Sequence, residues 1–297
     1  MSVFEPVFAI VTPSYNQAAF LPKTLESVLT QEGDFRIDYL VKDGGSSDGS
    51  VEILERFKGM VDSGELPCRC RGVSFRYESG PDGGQYEAIN AGFAQTSGNI
   101  MAWLNSDDMY LPGALATVST VLGRFPQVDW LTSNHIKLNS LGMLMELDMV
   151  GPFPRRMVQR GLYNGRDNRF IQQESTFWRR SLWDKAGGLD IRYRYAADFD
   201  LWTRFARETD LVLVDTLLAA FRRHGNQKTA AFDRYEREMA SMVTGSPLDK
   251  ARMLASRAMS RVRGLDRISL CGLTAPAVTY CRETDTWRMR TLRGTRR

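Results

Sequence analysis

The chain has 297 residues, 43% of them hydrophobic and 25% charged, which supplies one sizeable core and excludes an intrinsically disordered protein. Four cysteines in a chain of this length point to free thiols in a reducing compartment rather than a disulfide framework, and Cys68-x-Cys70, with no histidine nearby, is too tight for a zinc knuckle. The net charge of +4 is unevenly spread: residues 233–297 hold 14 Lys and Arg against 7 Asp and Glu, so an acidic front precedes a basic tail.

Taken in chain order, Val7 to Thr12 is an apolar, β-branched run closed by Pro13 and predicts a buried strand. Ala18 to Gln31 has helical spacing at Phe20, Leu21, Leu25, Val28 and Leu29. Ile37 to Val41 predicts a second buried strand, and Ser46 or Ser47 is placed to cap a helix carrying Val51, Ile53, Leu54 and Phe57. A strand at Val73 to Tyr77, a helix at Gln85 to Gln95, a strand at Ile100 to Leu104, a helix at Gly113 to Leu122 and a strand at Val128 to Ser133 follow. Residues 140–168 lack periodicity and predict an irregular lid or acceptor-side insertion. Asp198 to Glu208 reads as a helix, and Leu211 to Val214 and Leu217 to Phe221 as short strands. From Ala230 onward the pattern is helical. In that tail Leu248, Ala251, Ala255, Ala258, Met259 and Val262 form an apolar stripe, with Arg252, Arg257, Arg261 and Arg263 largely off it.

Strands alternating with helices predict an open α/β sheet, whose ligands bind beyond the carboxyl ends of the strands. Three polar clusters fall there: Asp43-Gly44-Gly45-Ser46-Ser47-Asp48-Gly49-Ser50, Asp82-Gly83-Gly84-Gln85, and Asn105-Ser106-Asp107-Asp108. Adjacent carboxylates on a strand-end turn suit Mg²⁺ or Mn²⁺ bridging a diphosphate; the same residues also make ordinary turns by bonding their own backbone. The Gly-rich turn before the third helix admits close approach of an anion. None of the clusters fits a P-loop or a dinucleotide fingerprint.

Five segments in fixed order carry a resemblance: Thr12-Pro13-Ser14-Tyr15-Asn16, the Asp43 cluster, Gly80 to Gly92, Trp103 to Asp108, and Ala197-Asp198-Phe199-Asp200-Leu201-Trp202. Together they resemble the family 2 glycosyltransferases over about residues 5 to 225. That resemblance implies a GT-A-type open mixed sheet flanked by helices, with residues 1–230 as the catalytic domain and 231–297 as a basic, mainly helical extension. It implies an inverting transfer from a nucleotide-diphosphate sugar, a UDP-sugar favoured, to a hydroxyl of a saccharide or lipid-linked saccharide in cell-surface polysaccharide or glycolipid synthesis. It also implies roles. Pro13, Ser14, Tyr15 and Asn16 line the nucleotide pocket, Asp43 holds the base, and Asp82, Gly83, Gln85 and Asn90 run along the ribose and diphosphate.

The family's Asp-x-Asp metal motif reads Asn105-Ser106-Asp107 here. Asp107 becomes the main ligand of a Mg²⁺ or Mn²⁺ ion, Asn105 is a departure, and Asp108 compensates for it or stands behind it. The family's acidic pair at a helix start reads Ala197-Asp198, so Asp198 is the base and Asp200 is structural. His224, after a strand, is placed to bind metal or diphosphate or simply to sit at the surface, and Arg222 or Arg223 to neutralise phosphate. Gln173, Glu174 and Trp178 border the acceptor, with Trp178 either stacking on a sugar or lying in the core, as for Trp183 and Trp202.

The tail stripe either packs on the catalytic domain or rests its basic face on an anionic membrane. With no signal peptide and no stretch near the roughly 20 apolar residues that span a bilayer, the expected location is cytoplasmic, or peripheral at the inner face of the plasma membrane. The alternative class is a non-catalytic sugar-nucleotide-binding protein, which has no need of Asp198. A nucleotidyltransferase lacks support because no Lys- or Arg-bearing Gly-rich loop follows the first strand, and sparse aromatic interleaving in the tail argues against nucleic acid.

Overall fold

The computed structural model describes residues 4–151, 153–165, 170–225, 227, 232–260 and 273–293. Among the described residues, eleven strands form one mixed sheet with the spatial order β11-β10-β9-β6-β8-β4-β1-β2-β3; β5 and β7 are side pairings on β9 and β6. The parallel half comprises β1 (Val7–Ser14), β2 (Gly33–Asp43), β3 (Cys70–Ser79) and β4 (Ile100–Trp103). The other half contains β5 (Met109–Tyr110), β6 (Trp130–Asn139), β7 (Leu144–Asp148), β8 (Phe177–Arg179), β9 (Leu211–Arg223), β10 (Thr274–Cys281) and β11 (Thr286–Arg293).

The apolar runs of β1 and β4 are continuous because both faces of these strands are covered. In β1, Phe8 and Ile10 point into one layer, with α1 (Leu21–Leu29), α2 (Ser50–Ser63) and α4 (Ala114–Arg124). Ala9 and Val11 point into the other, with α3 (Gln85–Ala94) and α7 (Ala197–Glu208). That second layer is aromatic: Trp103 and Trp202 stack with centroids 5.8 Å apart, and Trp130 and Trp178 pack on Trp202 at 5.7 Å. The expected strands at 211–214 and 217–221 are one long strand, β9. Its register against β6 shifts near Ser133 and Asn134, an irregularity that masks the continuity in sequence.

Three expectations are corrected. First, neither Ser46 nor Ser47 caps α2. Its N-cap is Gly49, in a left-handed conformation that a glycine adopts readily, and the Ser46 hydroxyl turns back to Asp43. Second, residues 140–168 are not wholly irregular. β7 folds back on β6 as a hairpin and α5 (Arg155–Gln159) follows; residues 152 and 166–168 lie outside the described residues. The hairpin escapes a periodicity search because its apolar residues Met143, Met145, Leu147 and Met149 are all exposed.

Third, the extension is not mainly helical throughout. After α8 (Phe232–Met242) and α9 (Pro247–Ser260), β10 and β11 form an antiparallel hairpin that joins the main sheet beside β9. Leu248, Ala251 and Ala255 of the apolar stripe are exposed. The helix α9 is instead anchored by the buried Asp249, which pairs with Arg156 and Arg160, and by Met253 against the aromatic layer. Arg261, Val262, Arg263 and Cys271 lie outside the described residues, and so do the side chains of 256–260.

Candidate active site

The carboxyl ends of β1, β2 and β4 and the loop after β3 meet around one cavity of about 920 Å³. Pro13, Ser14 and Tyr15 form one wall, Asp82 to Ala88 another, and Asn105, Ser106 and Asp107 the floor. Ile191 to Arg194, Phe221 and Gln227 complete it. The first loops are nearly in contact. A Cβ added to Gly44 would sit 3.3 Å from the Tyr15 ring and 3.4 Å from the Asp82 carboxylate, so glycine is what lets the β2 turn pass between them. Tyr15 keeps 62% of its surface exposed, a broad apolar face at the mouth.

The floor is a hydrogen-bonded array. Gln85 Nε2 donates to Asn105 Oδ1 at 2.7 Å, and Asn105 Nδ2 donates to Asp108 at 3.3 Å. Asp107 lies 3.0 Å from His224 Nε2, and the Gln227 amide reaches the same carboxylate oxygen at 3.4 Å. The imidazole is stacked on Phe20, with ring centroids 4.2 Å apart, which fixes its plane. His224 is thus a largely buried member of the floor and not a surface residue.

Other expected residues are placed differently. Asp108 is fully buried and absent from the cavity wall; it accepts the backbone N–H of Arg222 at 2.9 Å and ties the floor to β9. Burial, then the charges of Asp107 and Glu174, push its carboxyl well above the usual carboxylate range. A direct metal contact from Asp108 is therefore corrected to a supporting role. Arg222 is buried too, its guanidinium over Phe20 rather than in the cavity.

Asp43 is 2% exposed, and its oxygens accept bonds from the Gly45 and Ser46 amides and the Ser46 and Ser79 hydroxyls. Three of these bonds fall on Oδ2 and one on Oδ1, so Asp43 shapes the turn, with its second oxygen the less engaged. Asn16, at φ 52°, exchanges bonds with Ser46 and Ser47 and likewise shapes the loop. Asn90 makes a two-way bond with the backbone of Leu189 in place of lining a ribose site.

The acceptor-side residues are corrected as well. Trp178 has no exposed surface and is part of the aromatic core, as are Trp183 and Trp202. Gln173 and Glu174 lie in a single buried 3₁₀ turn, with the Gln173 amide donating to the Trp103 carbonyl. Burial, reinforced by the fields of Asp107 and Asp198, raises the Glu174 carboxyl to about 8.

Asp198 is half-buried in the first turn of α7 and does not line the cavity. It accepts the hydroxyl of Tyr235 at 3.1 and 3.2 Å. Asp200 makes an i,i+4 ion pair with Arg204, as a structural residue should. The sequence reading missed Gln227 and the Ile191 to Arg194 wall; the Arg-Tyr-Arg run ahead of α7 was the available signal.

Among the described residues no three His, Cys, Asp or Glu side chains converge as a ready cation cage. The donor set is Asp107 with His224. One carboxylate and one imidazole fit a divalent ion that takes most of its oxygens from a bound diphosphate and water, and they do not fit a self-sufficient protein site.

The model of the Glycosyl transferase family 2 matches residues 9–143. An uncharacterized glycosyltransferase of Mycobacterium tuberculosis is 32% identical over 221 residues, covering 73% of this chain and 75% of that protein. A PGL/p-HBAD biosynthesis glycosyltransferase of Mycobacterium bovis is 27% identical over 236 residues, covering 77% and 82%. Among solved structures, S. aureus TarS 1–349 in complex with UDP-GlcNAc aligns with a TM-score of 0.59 at 14% identity, over 84% of this chain and 70% of that one. The mannosyltransferase PcManGT from Pyrobaculum calidifontis, in complex with GDP-Man and Mn²⁺, aligns with a TM-score of 0.54 at 14% identity, over 88% and 82%. The shared architecture is the GT-A fold.

Proposed function

The chain belongs to glycosyltransferase family 2, and from that premise we propose that it moves a sugar, with inversion, from a nucleotide-diphosphate sugar to a hydroxyl acceptor. The observation that carries this reading is the convergence of Tyr15, the Asp82 turn and the Asn105 to Asp107 floor on one cavity, with His224 closing on Asp107. Tyr15 offers its exposed ring as a stacking face for the base. Gly83, at the start of α3, gives the diphosphate a close approach to the helix N-terminus, while the Gly84 N–H is held by Asp82 at 2.8 Å.

Asp107 and His224 would hold a Mg²⁺ or Mn²⁺ ion. That ion would supply charge to offset the leaving diphosphate. Asp198 is the base in this reading. The acceptor O–H proton passes to its carboxylate as the oxygen bonds to the anomeric carbon, and the bond from that carbon to the diphosphate oxygen breaks with its electron pair on the diphosphate. Arg194, in the cavity wall, adds positive charge near the donor, while Arg192 is held by Asp190.

The acceptor is a saccharide or lipid-linked saccharide in cell-surface glycan or glycolipid synthesis, a reading supported by the relative of 27% identity, which is named for PGL/p-HBAD biosynthesis. No helix among the described residues is long and apolar enough to cross a membrane; the protein is proposed to act in the cytoplasm, with any membrane contact peripheral.

The test is hydrolysis and binding of UDP-glucose, UDP-GlcNAc and GDP-mannose with Mn²⁺. One donor, a UDP-sugar first, is expected to bind and turn over, and Asp198→Asn is expected to keep binding and lose turnover. Binding of every donor without turnover by the native chain would instead favour a sugar-nucleotide-binding protein.

A further inference from the structure

The helix α8 lies beyond every glycosyltransferase motif in this chain, yet it closes directly on Asp198. Tyr235, near its start, places its hydroxyl between the two carboxylate oxygens at 3.1 and 3.2 Å. Three residues on, the Glu238 carboxylate accepts the backbone N–H groups of Arg194, Tyr195 and Ala196 at 3.0, 2.8 and 2.9 Å. Met239, on the same helical face, is 1% exposed and packs on Ala196 and Phe199. One face of α8 therefore fixes both the side chain at the start of α7 and the backbone that leads into it. That backbone continues the Ile191 to Arg194 wall of the cavity.

We propose that α8 is a working part of the transfer site, with Tyr235 as a positioning residue that aims the Asp198 carboxylate, and Glu238 as a positioning residue for the cavity wall. The inference rests on Asp198 being the base. A hydroxyl that donates to a carboxylate favours its charged form, and a bond shared between both oxygens restricts rotation of the group. Desolvation, and then the charge of Asp198 itself, hold the Tyr235 phenol well above its usual range, so it remains a donor at any working pH.

Among the described residues, Glu174, Glu238 and Tyr86 stand around the Asp198–Tyr235 pair. Glu174, from the buried 3₁₀ turn, has its charged form disfavoured by Asp198 and so stays neutral beside it. Glu238 adds negative charge from α8, and Tyr86, from α3, gives its hydroxyl to the Tyr195 carbonyl. Tyr235 thus brings a hydrogen-bond donor to Asp198 from an element that otherwise carries negative charge toward this corner.

The test uses the full chain and the best-hydrolysed donor of the three above, with UDP and Mn²⁺ as the binding control. Tyr235→Phe is expected to move the acid limb of kcat/KM upward by about one pH unit, the size expected for loss of a hydrogen bond to a charged group, with the Kd for UDP unchanged. Carboxyl ¹³C NMR of Asp198 reads the same upward shift without turnover. Glu238→Gln is expected to lower kcat about tenfold, the scale of a small misplacement, with the donor KM unchanged. An acid limb and an Asp198 titration that stay where they were in Tyr235→Phe would overturn the inference while Asp198→Asn, being inactive, upheld the base. Full turnover by Asp198→Asn would overturn the base reading, and the inference with it.

Discussion

His224 Nε2 and Asp107 Oδ2 stand 3.0 Å apart although 117 residues separate them in the chain. The pairing is made by β5, which follows the Asp107 turn and pairs antiparallel with β9, whose end carries His224. Asp108 seals the same junction by accepting the Arg222 amide. The sheet thus delivers a carboxylate and an imidazole to one point with Phe20 stacked behind the ring.

If that pair holds the divalent ion, His224→Ala should raise the Mn²⁺ concentration for half-maximal activity by about 10- to 100-fold, the scale seen when support of a metal site is removed. Asp107→Asn should do at least as much, and EDTA should abolish turnover of the native protein. Mn²⁺ titrations of donor hydrolysis measure all three. An unchanged Mn²⁺ requirement in both variants would remove the pair from the metal site.

Tyr15 should act on the donor alone. It is exposed at the cavity mouth, so Tyr15→Ala leaves no internal void and should leave thermal stability unchanged. Base stacking on an aromatic ring is worth about 1–3 kcal/mol, so the Kd for UDP should rise about tenfold. Calorimetric titration with UDP and Mn²⁺ checks this; an unaltered Kd would place the base elsewhere.

Much of this arrangement was legible in the sequence. β1 and β4 are apolar on both faces, so their runs are continuous, and the polar turns that close them mark the ligand side. The tail was not legible as sheet, although Thr286-Trp287-Arg288-Met289-Arg290 alternates cleanly. Trp287 and Met289 pack on the core while the arginines between them made the segment resemble a solvated helix. Asp43 shows a different gap. The sequence places it at a strand end, but only the fold brings Ser79 across from β3 to bond its Oδ2. Tyr235 was silent because its partner lies 37 residues away in a helix with no motif of its own.

Glu174 sets a pH dependence of stability. Its carboxyl is raised to about 8 from the ordinary 4.5 of a free glutamate, so between those pH values the folded state holds a proton that the unfolded state has released. The folded state binds more protons, and stability must fall as pH rises through that window. Each tenfold change in proton affinity is worth about 1.4 kcal/mol, so the loss by pH 8 should be a few kcal/mol at most. Glu174→Gln keeps the shape of the neutral acid and removes the titration. In EDTA it should match the native protein at pH 4.5 and melt higher at pH 8. Parallel melting curves at both pH values would refute the assignment.

Trp178 separates a core role from an acceptor role. Its ring is fully buried, 5.4 Å from Trp103, 5.7 Å from Trp202 and 6.0 Å from Trp183, and it links the floor strand β4 to α7. Truncation there opens a void that neighbouring aromatics cannot fill without leaving their own contacts, so Trp178→Ala should cost about 3–5 kcal/mol in urea unfolding. Trp178→Phe retains one ring and should recover most of it. An acceptor-stacking tryptophan would behave the other way: Trp178→Phe would weaken the acceptor KM and leave the urea midpoint in place. Because β4 leads straight into Asn105 to Asp107, loosening this cluster should also broaden the metal dependence of Trp178→Ala at temperatures where it is still folded. That coupling is the measurable sign that the aromatic layer serves the site by holding its floor, not by touching the sugar.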